Sequence, residues 1–273
     1  MKTLEEFRKQ LMAEERSPAT VEKYLRDAGK FLAWLGEKEI SKQAVVDFKR
    51  CLRPRYKISS ANSILSAVNC YLDFIGHPQL RVKAYKCQRV TFLAEEKELS
   101  REEYLRLLDA SKDKTQLNLL MQTICATGIR VSEHRYITVE AVRAGRAVVS
   151  CKGKSRIVFL PGKLCRALLK YAKRCAIRRG SIFVTGSGKP LDRSRIWAEM
   201  KMLCRTARVS AEKVFPHNLR HLFARIYYSV EKDIVRLADI LGHASINTTR
   251  IYTMESGSIH RAQIERLPLL RIT

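Results

Sequence analysis

Apolar residues recur with a helical period through most of this 273-residue chain, and that period confines it to a largely helical fold. After Ser17-Pro18, the residues Val21, Tyr24, Leu25, Ala28, Phe31, Leu32 and Leu35 fall on one helix face. Ser17 suits the N-cap and Pro18 the first helical position, where a missing N–H costs nothing. Gly36 supplies the stop. Ser41 can cap a short helix carrying Val45, Val46 and Phe48. Ser59 or Ser60 opens another, with Ile64, Leu65, Val68, Tyr71, Leu72 and Ile75 on its apolar side and Gly76-His77-Pro78 at its end.

Residues 79–98 are polar and mixed in charge, and they read as a linker. Ser100 with Glu103 then forms a capping box that opens a second domain. Helices are expected there at about 101–110, 114–127, 164–176, 193–207, 217–229, 232–241 and 245–253. The period changes once, from Arg146 to Leu160: a strand, a turn at Lys152-Gly153-Lys154 and a returning strand. The tail Ser258–Leu267 can form a last helix. The expectation is a mainly α protein with a small antiparallel sheet in the second domain. Its parts are a helical domain at 1–78, a linker at 79–98 and a larger domain at 99–273. Trp34 and Trp197 read as core residues.

Charge narrows the partners. Lys+Arg number 52 against 27 Asp+Glu, a net +25. Residues 1–98 carry +6 of this and residues 99–273 carry +19. Such a surplus concentrates polyanions, nucleic acid first and an anionic membrane surface second. No apolar run reaches the roughly 18 residues needed to cross a bilayer, and Met1–Gln10 lacks a secretory core, so an intracellular location is expected. Eight scattered cysteines with no C-x-x-C pair read as free thiols rather than a zinc site or disulfide framework.

Four segments of the second domain carry groups suited to phosphodiester chemistry. They are Ala126-Thr127-Gly128-Ile129-Arg130-Val131-Ser132-Glu133, Cys151-Lys152-Gly153-Lys154-Ser155-Arg156, His217-Asn218-Leu219-Arg220-His221, and Leu241-Gly242-His243 leading to Tyr252. Arginine forks can bind two non-bridging phosphate oxygens at once. A phenol can attack in line, and a histidine or lysine can move protons. Tyr136, Tyr227 and Tyr228 are rival nucleophiles on chemistry alone. His217 and His221 have zinc-ligand spacing, but Asn218 replaces the glutamate of the metalloprotease pattern and Arg220 would repel a cation. Glu133 reads as the structural partner of a basic neighbour, and His221 as a buried helper beside Arg220.

In order and spacing, these segments resemble the tyrosine recombinases, the phage-integrase family. The resemblance spans essentially the whole chain, with 1–78 similar to the family's SAM-like core-binding domain. It implies a two-domain clamp on double-stranded DNA that cleaves and rejoins strands through a 3′-phosphotyrosyl link. It implies that Arg130 and Arg220 hold the scissile phosphate, His217 takes the tyrosine proton or binds the phosphate, and His243 binds the phosphate. Tyr252 is then the nucleophile. Lys152 is the implied general acid; the hairpin is one residue shorter than the family's usual G-K-G-x-K-x-R, which leaves Lys154 as the alternative. Neither metal nor cofactor is implied. The dense basic run Lys49, Arg50, Arg53, Arg55 and Lys57, with the polar helix start at Ser59 and Asn62 behind it, suits contact with phosphates and a groove, a solvated face being the alternative, and Lys154 is a further expected DNA contact. A homotetramer on paired sites is expected, with Ser258–Leu267 docking on a neighbour, and an accessory directionality factor is a further candidate partner. The short form leans towards Xer-like enzymes in a bacterial-type cytoplasm. A type IB topoisomerase and a catalytically silent DNA-binding protein are the competing readings.

Overall fold

The computed structural model describes residues 3–86, 97–151, 154–243, 245–252 and Glu265, with the side chains of Cys151 and Lys154 left out. The chain divides into two compact units, Met1–Arg89 and Val90–Thr273.

The first unit is four helices: α1 (Leu4–Ala13), α2 (Pro18–Leu35), α3 (Lys42–Leu52) and α4 (Ile58–Phe74). Sequence periodicity overlooks α1, which a capping box between Thr3 and Glu6 starts. Ser17 and Ser41 cap α2 and α3 as their positions predict. Helix α4 begins earlier than Ser59: Lys57 stands at its N-cap without a side-chain bond. The core joins Phe31, Val45, Phe48, Leu65, Val68 and Leu72, and Trp34 packs on Phe48 at 5.4 Å between ring centres. Phe7 meets Tyr71 edge-on at 5.3 Å.

The first part of the expected linker packs on this unit. A short 3₁₀ turn spans Pro78–Leu80. Asn69 then accepts from the Val82 amide (3.0 Å) and donates to its carbonyl (2.9 Å). Asn62 does the same for Tyr85, at 2.8 and 3.0 Å. Two asparagines on α4 thus satisfy an otherwise unpaired strip of backbone.

The second unit contains α5 (Arg101–Ala110), α6 (Thr115–Thr127), a 3₁₀ helix (Val131–Tyr136) and α7 (Val139–Arg143). Strands β1 (Arg146–Cys151) and β2 (Lys154–Phe159) follow, then α8 (Gly162–Arg174), α9 (Arg193–Ala207), α10 (Pro216–Glu231), α11 (Ile234–Leu241), α12 (Ile246–Thr249) and a 3₁₀ turn at Arg250–Tyr252. The helix expected at 245–253 is therefore split, and α11 starts at Ile234 because Lys232 turns left-handed and Asp233 caps. The strands pair antiparallel with Val148 opposite Ile157. Ala147, Val149 and Val158 face the core while Val148, Ile157 and Phe159 face outward.

Helix α6 is the centre of this unit: Leu117, Leu119, Leu120, Met121 and Ile124 are all buried. Trp197 departs from expectation. It is 49% exposed, because α9 turns Ile196, Met200 and Leu203 inward instead. Cys51, Cys70, Cys125, Cys165, Cys175 and Cys204 are free thiols; Cys87 and the Cys151 side chain fall outside the described residues.

Candidate active site

Two helix C-termini frame the site. Helix α6 ends at Gly128 and α11 at Gly242, each in the left-handed conformation (φ +65° and +64°). Both glycines also sit too tight for a side chain. A Cβ on Gly128 would lie 2.5 Å from the Phe223 ring, and one on Gly242 would lie 2.8 Å from Arg156 Cδ. Terminal carbonyls left without intrahelical partners point at arginines instead.

Arg220, on α10, is 1% exposed. Its Nη1 donates to the Gly128 carbonyl and its Nη2 to the Leu241 carbonyl (2.7 Å). Nη2 also donates to His243 Nε2 at 3.0 Å, while among the described residues Nε finds no acceptor. Burial, and then the charge of Arg130, push its guanidinium down to about 10, so it stays charged at neutral pH. Since a guanidinium only donates, His243 Nε2 accepts, and Nδ1 carries the proton it gives to Thr249 Oγ1 (2.8 Å).

Arg130 leaves α6 just after the glycine. Its amide and Nη1 donate to Glu133 (2.8 and 3.1 Å), and its Nη2 reaches the Gly242 carbonyl at 3.4 Å. Arg156, on β2, donates to both oxygens of the same carboxylate at 2.8 Å each and from Nε to the Ile240 carbonyl at 3.0 Å. Glu133 is fully buried. Burial alone would raise its carboxyl, but the bonds from Arg156 and Arg130 hold it below the usual range. The sequence reading gave Arg156 no role. The signal for it was the buried glutamate, which had to find a cation.

His217 opens α10 and lines a cleft of about 300 Å³ with Arg130, Arg220, Arg193, Trp197 and Phe215. The sequence assigns Arg193 no role and reads Trp197 as core, yet both line this cleft. Burial, then Arg220 and Arg130, keep His217 below its ordinary value. His221 lies 4.5 Å from it, ring to ring, and its value is pushed to about 4 by burial and then by His217. Tyr252 is 5% exposed and sits beside Leu237 and Leu241. Its ring meets His221 edge-on at 4.9 Å and stacks on His243 at 5.9 Å.

The structure therefore gathers Arg130, His217, Arg220, His243 and Tyr252 in one place. Lys152 and the Lys154 side chain lie outside the described residues. In the first unit, Arg50, Arg53, Arg55, Lys57 and Ser59 are exposed. Lys49 stacks over Tyr85 at 4.7 Å, and Arg53 at 6.0 Å. The Asn62 amide is engaged with the Tyr85 backbone.

A basic cleft lined by Arg130, Arg220 and His217, with His243 bonded to Arg220 and Tyr252 stacked on that histidine, defines a class of site suited to phosphodiester strand transfer. Residues 97–257 match the phage integrase family, and residues 4–77 match the phage integrase N-terminal SAM-like domain. The chain belongs to the phage integrase family and is a site-specific tyrosine recombinase. Tyrosine recombinase XerA of Pyrococcus furiosus is 29% identical over 98% of this chain and 94% of that protein. Tyrosine recombinase XerH of Campylobacter jejuni is 35% identical over 57% of this chain and 47% of that protein. The crystal structure of a lambda integrase (75–356) dimer bound to a COC′ core site shares the fold with a TM-score of 0.72 at 18% identity, covering 99% of this chain and 98% of that one.

Proposed function

We infer that Tyr252 is the nucleophile of this recombinase and that Arg130, Arg220, His217 and His243 bind and activate the scissile phosphate of duplex DNA. One observation carries the reading. Arg220 reaches His243, the Tyr252 ring stacks on that histidine, and Arg130 and His217 share the adjoining cleft. Arg220 Nε, without an acceptor among the described residues, adds support, since a buried donor left unpaired costs about 1–3 kcal/mol and an anionic oxygen would satisfy it.

The phenol oxygen attacks phosphorus as its proton passes to neutral His217. The phosphorus–O5′ bond breaks, and the departing 5′ oxygen takes a proton from the hairpin lysine, Lys152 or Lys154. The product is a 3′-phosphotyrosyl ester and a free 5′-hydroxyl. A second strand's 5′-hydroxyl then attacks the ester and releases Tyr252. One phosphate ester replaces another at each step, so strand exchange needs no external energy. The forks of Arg130 and Arg220 neutralise charge developing on the non-bridging oxygens, where fixed donors act most strongly.

Partner and assembly readings rest on relatives. XerH has been seen on difH substrate, and lambda integrase as a tetramer on a Holliday junction. A homotetramer on paired sites, with the first-unit cations Lys49, Arg50, Arg53, Arg55 and Lys57 on the phosphate backbone, follows for this chain. A directionality factor and a cytoplasmic, nucleoid-associated location complete the proposal. Among the described residues no helix is long and apolar enough to cross a membrane.

The test is a pool of nicked duplexes of randomised sequence. Covalent adducts are recovered on a denaturing gel and mapped by peptide mass spectrometry. Adducts should map to Tyr252 and vanish in Tyr252→Phe. An adduct on another tyrosine would overturn the assignment.

A further inference from the structure

Between Glu140 and Asp192 the sequence holds thirteen Lys and Arg and no Asp or Glu. Arg156 is absorbed by Glu133, but most of the others lie on α8 and the turn after it. Lys163, Arg166, Lys170 and Lys173 follow one another at intervals of three and four, which places them on one helix face. All four are exposed, as are Arg174, Arg178 and Arg179. Among the described residues none of these seven forms an ion pair. Elsewhere in the same unit Arg195, Lys213 and Arg225 pair with Glu199, Glu103 and Glu98. At the C-terminal end of the stripe a groove sets Lys173 and Arg178 beside Arg143, over Val139, Leu169, Ala172 and Ile177.

An ordinary solvated helix face mixes signs, as α9 does. Seven like charges without counter-charges repel one another in a chain already at +25, and a polyanion relieves that repulsion. The opposite face of α8, with Leu164, Leu168, Tyr171 and Ala172, is buried in the core. No exposed large hydrophobic side chain lies on the helix. A bilayer-surface helix needs an apolar face to insert, so the phosphodiester backbone is the better match.

Position separates this face from the cleft. Lys163, Leu164 and Ala167 share a groove with Leu222 and Ile226 of α10. Leu222 follows Arg220 by two residues, about 200° round the helix. Lys163, at the start of the stripe, therefore lies on the side of α10 turned away from Arg220.

We propose that the basic face of α8 is a second nucleic-acid surface, holding the backbone of a duplex segment other than the one at the cleft. The choice of duplex DNA as occupant rests on the recombinase reading. Such a surface would retain flanking or partner DNA while the cleft holds the reacting strand.

The experiment uses the full chain and mixed-sequence duplex. Lysine acetylation is mapped by mass spectrometry, and binding is followed across salt concentrations. DNA should protect Lys163, Lys170 and Lys173. The set K163Q/R166Q/K170Q/K173Q should flatten the logarithmic salt dependence by about 3.6 units, near 0.9 for each of four phosphates no longer neutralised. The charge-keeping set K163R/R166K/K170R/K173R should retain it. Gln favours helix, and a matching circular dichroism spectrum establishes that the fold is kept. Unchanged lysine reactivity with DNA, or protection by vesicles of anionic lipid instead, would overturn the proposal. Adduct formation on nicked DNA is read separately: the Gln set should reach the wild-type yield at saturating DNA. Loss of the Tyr252 adduct in the wild type would strike the catalytic reading alone.

Discussion

Arg156 meets Glu133 with both terminal guanidinium nitrogens, at 2.8 Å each, and ties strand β2 to the segment carrying Arg130. The same carboxylate holds Arg130 at 3.1 Å. One buried anion thereby sets the spacing of two cations and anchors the hairpin that bears Lys152 and Lys154.

Glu133→Gln should destabilise the second unit by about 3–5 kcal/mol, because it strands Arg156 in a buried site without its charge partner. Urea denaturation followed by near-ultraviolet circular dichroism reads this. A loss below about 1 kcal/mol, the value of an exposed pair, would show the network to be dispensable.

Four histidines make stability depend on acid, His134 being lowered by burial alongside the three of the site. His221 and His243 are held near 4 against an unfolded value of 6.5, and His217 is lowered too. Between about 6.5 and 4 the unfolded chain binds protons that the folded chain declines, so stability falls as pH falls through that window. Wild-type Tm should drop from pH 7 to pH 4.5. The drop should be shallower in His221→Asn and His243→Asn. Parallel Tm curves would remove the histidines from the explanation.

The two site glycines should be less replaceable than a glycine in open space. Gly145 is left-handed at φ +68°, and no atom comes within 4 Å of the point where a Cβ would stand. Gly145→Ala should therefore cost only the backbone strain, about 1–2 kcal/mol. Gly128→Ala and Gly242→Ala add collisions with Phe223 and Arg156, bringing roughly 1–3 kcal/mol more. Equal midpoints for all three in denaturant would contradict the packing argument.

The general acid can be assigned with a modified leaving group. A thiol needs no proton to depart, so DNA with a bridging 5′ sulfur should restore cleavage to the variant lacking the acid. Lys152→Ala should lose the adduct on ordinary DNA and regain it on the sulfur substrate, while Lys154→Ala should change little. The reverse pattern would move the role to Lys154.

Trp197 and Arg193 should affect binding more than folding. Arg193→Gln should lower the logarithmic salt dependence of DNA binding by about 1 if it contacts one phosphate. Trp197→Ala should cost less stability than Phe183→Ala, a fully buried ring worth about 3–5 kcal/mol. Equal losses would return Trp197 to the core.

Much of this protein is legible in one dimension. Helices such as α2, α6 and α9 declare themselves because a cap and an apolar period are local properties, and the hairpin does so through its change of period. The residues proposed for the chemistry were legible because each motif carries its own spacing. Contacts between segments were not. Nothing local says that Glu133 joins Arg130 to Arg156, that Asn62 and Asn69 serve the backbone at Tyr85 and Val82, or that Trp197 faces out. A side chain's partner and exposure depend on what other segments bring to it, and packing alone decides that. Sequence determined which groups this enzyme has for chemistry; the tertiary fold decided their partners, because burial forces each charge to find a counter-charge or carbonyl wherever the chain returns.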